Sequence, residues 1–91
     1  MTALRTFWID FEKLDKPTPL NLGCGVSAFS REEAIGLIQR YIFGNRTMPV
    51  ILNIIDDVKL SDLDKKHVAP NIGSTSVRGI WFPQGYTDDI D

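Results

Sequence analysis

The chain has 91 residues, of which 43% are hydrophobic and 24% charged, with a formal net charge of −2. That length accommodates one domain, and a chain this short buries only roughly 60–65% of its extended-state surface on folding. The charge balance lacks the basic field that nucleic acid or anionic lipid requires, and a single cysteine excludes an internal disulfide.

The start, MTALRTFWIDFEK, has no basic region followed by an apolar run, so no secretion signal is expected. No apolar stretch approaches the roughly 20 residues of a membrane span. The expectation is a cytoplasmic, reduced protein with neither nucleic acid nor membrane as partner. Asn45-Arg46-Thr47 matches the glycosylation acceptor pattern, which has no consequence without secretion.

In LRTFWIDFE, Phe7, Ile9 and Phe11 alternate with Trp8, Asp10 and Glu12, the period of a half-buried strand. Pro17 and Pro19 then break the chain. A second strand is expected in LGCGVSAF, with Val26 and Ala28 on one face and Ser27 and Phe29 on the other. Its glycines point to a bulge or a close backbone approach. At Ser30 the period changes: Ser30 and Glu33 form a capping box. Ala34, Leu37, Ile38, Tyr41 and Ile42 recur at helical spacing up to Gly44 and Asn45, which favour termination.

PVILNIIDDV, apolar on both faces, reads as an interior strand. Its alternation sets Val50, Leu52, Ile54 and Val58 against Ile51, Asn53 and Ile55. Ser61 caps a short helical turn with Asp62 and Asp64 near its positive end. SVRGIWFP is the last strand, with either Val77, Gly79 and Trp81 or Arg78, Ile80 and Phe82 facing outward. The fold expected is α+β: a four-stranded mixed sheet with one main helix on one face, in the order β-β-α-β-short helical turn-β. The second and third strands are joined by a right-handed crossover, with the first between them. Residues 1–86 form this single domain and 87–91 an acidic, loose tail.

Gly23-Cys24-Gly25-Val26-Ser27-Ala28 satisfies the loose dinucleotide pattern G-x-G-x-x-A. The helix, however, starts five residues past the second glycine, and no acidic residue follows at the spacing a ribose needs. Cys24 with His67, oriented by Asp57, would make a nucleophile trio, but Cys24 lies six residues before the cap. A small buried thiol at a glycine bend is the simpler reading. One cysteine and one histidine cannot supply a structural zinc site, and Asp56, Asp57, Asp62 and Asp64 lack the calcium-loop spacing. No catalytic, cofactor or metal residue is therefore assigned.

Parity is more informative. If Phe7, Ile9 and Phe11 face the helix, Trp8 faces away. Ile51, Ile55 and Trp81 can join it there, with Arg78 at the margin, in an apolar patch of interface type. The alternative is that the loop from Leu14 to Asn21, or the tail with Tyr86, folds over this face.

The stretches GCGVSAFSREEA, IIDDVKLSDLDKKHVAPNIG and VRGIWFP resemble a small family of bacterial proteins. In that family a C-G-V-[ST]-A strand precedes a capped helix, a D-V turn follows the central strand, and R-G-[IV]-W-[FY]-P closes the domain. The resemblance spans Gly23 to Pro83 and implies no activity, cofactor or catalytic residue. The function expected is a non-enzymatic protein-interaction module using an uncovered sheet face, as a homodimer or with a protein partner. One alternative is an immunity-type inhibitor of a bacterial toxin, its acidic surface of Asp56, Asp57, Asp62 and Asp64 covering a basic site. The other is a small enzyme using Cys24 and His67.

Overall fold

Alternation in the first segment forms β1 (Arg5–Phe11), which lies inside a sheet completed by β2 (Cys24–Ala28), β3 (Ile51–Asp56) and β4 (Gly79–Phe82). The spatial order is β3-β1-β2-β4. The computed structural model describes residues 3–15 and 17–84; the expected tail at 87–91, and Tyr86, lie outside them. Every hydrogen-bonded pair is antiparallel. β2 and β3 run in the same direction, as the crossover requires, but β1 separates them. The sheet is therefore antiparallel where a mixed one was expected.

Helix α1 (Arg31–Ile38) continues into a π-helical turn, Gln39–Phe43. Ser30 Oγ accepts from the Glu33 amide at 3.1 Å, and Glu33 Oε1 reaches back to the Phe29 amide at 2.7 Å. Two amides that would otherwise be orphaned are thus satisfied reciprocally. Gly44 ends the turn at φ 59°. Gln39 Nε2 donates to the carbonyls of Gly44 and Arg46, while the Arg46 guanidinium donates to those of Ile42 and Phe43.

The helix covers Phe7, Ile9 and Phe11, which pack with Cys24, Val26, Ala28, Leu37, Ile38 and Ile80. Trp8 lies on the opposite face, as parity demands, but that face is covered. Trp8, Trp81 and Phe82 form a second cluster under Val58, Leu63, Val68 and Ile72, all from the connection between β3 and β4. This connection contains two short helical turns, Leu60–Asp62 and Ala69–Asn71. It is pinned by Thr6 Oγ1 to the Val58 carbonyl (2.8 Å), Ser27 Oγ to the Thr75 carbonyl (2.6 Å) and the Gly73 amide to the Trp81 carbonyl (2.8 Å). Of the loop before β2, Leu14 and Leu20 pack on the helix-side cluster, while Leu22 lies on the Trp8 side.

Two bulges break the alternation. Between Asp10 and Phe11 the β1–β3 register shifts so that Leu52 is passed over and Ile51 stands opposite Phe11. Ile51 therefore packs on the helix-side core rather than beside Trp8. On β4 the partner of Val26 is Ile80 and that of Gly25 is Phe82, with Trp81 as the extra residue. Trp81 and Phe82 consequently enter the same cluster instead of opposite faces.

Candidate interaction edge and cleft

The glycines of the G-C-G stretch serve the two indoles. A Cβ at Gly23, whose φ is +125°, would lie 2.5 Å from Trp8 Cζ2. One at Gly25 would overlap the Trp81 ring at Cη2 and Cζ3. The backbone is bare at alternate positions so that Trp8 and Trp81, with ring centroids 6.0 Å apart, can lie against it. Cys24, between them, points to the other face and is fully buried in the helix-side core. Burial pushes its thiol pKa up, away from a reactive thiolate. His67 is exposed on the connection covering the opposite face, its Nδ1 3.4 Å from Asp64 Oδ2. The sheet thus separates the two side chains of the enzyme reading. Among the described residues no group of three or more His, Cys, Asp or Glu is placed to hold a metal ion.

The sheet has two edges, treated very differently. β4 is four residues long, wholly buried, and its outer side receives the Gly73 amide. Along β3, no backbone hydrogen bond among the described residues closes the outer row. Leu52 is 65% exposed, Val50 61% and Ile55 41%. From Ile51 to Ile55 the strand has no charge and no proline, two of the usual means of blunting an edge, and its bulge is confined to Leu52. Leu52 sits at the bulge, and a regular stretch, Asn53–Asp56, follows it.

A cleft of about 200 Å³ opens next to this edge. Its apolar walls are Trp8, Leu22, Ile55, Val58, Leu63 and Val68, and among the described residues its charged lining is Asp10, Asp62 and Asp64. Asp10 Oδ1 accepts the Trp8 indole N–H at 3.0 Å, which orients the carboxylate against the ring. Asp64 Oδ1 accepts the amides of Lys66 and His67, and these hold its pKa below the usual carboxylate value. Asp62 faces the Lys59 amide at 3.4 Å. Across Leu22 lies a second depression of about 370 Å³, with Lys66 and His67 facing Phe82 and Pro83.

Comparison of this chain with protein-family models, with curated proteins and with solved structures finds no match. Its function must be read from its own geometry.

The four aspartates expected to form one acidic surface are divided. Asp57 takes a two-point contact from Arg5 (2.9 and 2.7 Å), and Asp56 one from Arg31 (2.9 and 3.1 Å). The Arg5 hydrogen bond lowers the Asp57 pKa. Their charge is neutralised at the end of the sheet, whereas Asp62 and Asp64 join Asp10 at the cleft. Of the expected interface residues, Trp8 (7% exposed) and Trp81 (2%) are core, and Ile51 belongs to the helix side. Ile55 is exposed on the Trp8 face, as parity required. Arg78 is exposed, but its Nε bonds Glu33 Oε2 at 2.9 Å beside the helix start. Sequence reasoning missed Leu52 as an exposed residue and Asp10, Leu22, Leu63 and Val68 as cleft walls. The charge-free run ILNII reads as an interior strand, whereas β3 lies at the sheet edge; nothing local signalled either the edge or the cleft.

Proposed function

We propose that this chain is a protein-interaction module that takes up an additional β-strand along the outer edge of β3. The observation that carries this reading is the β3 edge, free of charge and proline from Ile51 to Ile55 and regular from Asn53 to Asp56. There Val50, Leu52 and Ile55 are exposed, and no backbone hydrogen bond among the described residues closes the outer row. Main-chain hydrogen bonds supply affinity in such strand addition, and side-chain pockets supply selectivity. The site expected from sequence, a bare sheet face, is thereby moved to the sheet edge.

Amide hydrogen exchange tests the reading. In dilute solution the outward amides of β3 should exchange freely, unlike the inward ones paired with β1. They should slow on addition of an extended valine–threonine peptide, and Leu52→Lys should abolish that protection by placing a charge on the edge. Protection that appears only on raising the protein concentration would identify self-pairing. Unchanged exchange with peptide and at high concentration alike would overturn the proposal.

A further inference from the structure

We infer that the strand taken up along β3 belongs to a different protein and carries a lysine or arginine whose side chain enters the acidic cleft beside Ile55. This rests on the strand-addition reading above and names the chemistry of its partner.

Placement comes first. Ile55 is both an edge residue of β3 and a wall of the cleft. A residue paired with it on an added strand projects from the same face, its Cβ about 4.5–5.5 Å away. Its side chain is therefore delivered at the cleft mouth.

Size and chemistry select what enters. At about 200 Å³ the cleft is smaller than the roughly 300–1,000 Å³ of small-molecule sites and suits a single side chain. Trp8, Val58 and Leu63 offer apolar walls for a methylene stem, and the charged groups of the lining are three carboxylates. Lysine and arginine combine such a stem with a terminal cation. The protein's own contacts leave this charge in place. Among the described residues Asp10 bonds an indole N–H, Asp62 and Asp64 face backbone amides, and the His67 ring stands 3.4 Å from Asp64.

The same chemistry argues against a second copy as the occupant. From Thr47 to Val58 the chain has no lysine or arginine. Self-pairing through β3 would therefore bring isoleucine, asparagine or aspartate to the cleft, the last being repelled by it.

The test uses the full chain and acetylated, amidated nine-residue peptides of alternating valine and threonine, with a central lysine, arginine, norleucine or glutamate. Binding is measured calorimetrically, and β3 amide shifts report the location. The lysine and arginine peptides should bind about tenfold more tightly than the norleucine peptide, with glutamate weakest. Asp10→Asn and Asp62→Asn, which keep an accepting oxygen, should each reduce that preference several-fold, as should added salt. Leu52→Lys should remove binding of every peptide. If all peptides bind alike and Leu52→Lys abolishes binding, the cleft inference is wrong and the strand-addition reading survives. If a lysine preference persists without β3 shifts and without sensitivity to Leu52→Lys, the strand-addition reading falls and takes the inference with it. Failure of every peptide to bind overturns both, and a β3-paired homodimer overturns the choice of partner.

Discussion

Replacing Gly25 by alanine sets two effects of opposite sign against each other. In an unconstrained strand the change stabilises by about 0.5–1 kcal/mol, because alanine loses less chain freedom on folding. At Gly25 the new Cβ would stand 2.6 Å from Trp81 Cε3 and closer to two other ring atoms. The indole has nowhere to retreat: it is 2% exposed, with Trp8 6.0 Å away between centroids and Phe82 in the same cluster. Overpacking a filled core costs about 1–3 kcal/mol. The clash should win, leaving a net loss of about 1–2 kcal/mol. For a domain of this size each kcal/mol moves Tm by about 4–8 °C, so thermal unfolding followed by circular dichroism should show a fall of about 4–16 °C. The double variant Gly25→Ala/Trp81→Phe separates clash from any other cause. A smaller ring withdraws the overlapping atoms, so the cycle should give a coupling energy of about 1 kcal/mol or more. Gly36→Ala is the control. That glycine is helical with nothing within 4 Å of an added Cβ, so the change should stabilise by about 1 kcal/mol. A Gly25→Ala chain as stabilised as Gly36→Ala would refute the packing of Trp81 on the backbone of β2.

Ser30→Ala should destabilise by about 1 kcal/mol in denaturant titration through loss of the Glu33 amide contact. Trp8→Glu should prevent folding, read as loss of the far-ultraviolet dichroism of the sheet. It buries a charge in the second cluster and removes an aromatic whose truncation alone costs about 3–5 kcal/mol. A folded Trp8→Glu monomer would mean that this face is open. Cys24 should react with a thiol reagent only as fast as the chain opens, accelerating in denaturant, since its side chain is fully buried. Glu33 is held below its ordinary pKa of 4.5, first by the Phe29 amide and then by Arg78, and Asp57 below 3.8 by Arg5. Both bind protons less readily folded than unfolded. Their contribution is therefore complete above those ordinary values and is lost as pH falls through the lower folded ones. Glu33→Gln should flatten the fall of Tm with acidification; an unchanged profile would show that the Phe29 and Arg78 contacts are not populated in solution.

Local interactions made several features legible in the sequence. The helix is written in a cap, a spacing and a glycine stop, all within one or two turns of the chain, and it forms where those signals stand. The strict alternation of β1 determined that Trp8 lies opposite Phe7, Ile9 and Phe11, because neighbouring side chains on a strand leave opposite faces. The G-C-G spacing announced a close approach to the backbone, though not which rings approach. The remaining features arose between distant segments. Val58, Leu63, Val68 and Ile72 have no common period, so nothing local marks them as the cover of the second face; they become one only when the β3–β4 connection folds back on Trp8 and Trp81. The bulges at Leu52 and Trp81 are set by pairing with β1 and β2, and each turns residues that alternation had assigned elsewhere. Which strand is an edge is likewise a property of the whole sheet. ILNII resembles an interior strand because both its faces are apolar, yet among the described residues only one of its two sides has a partner strand.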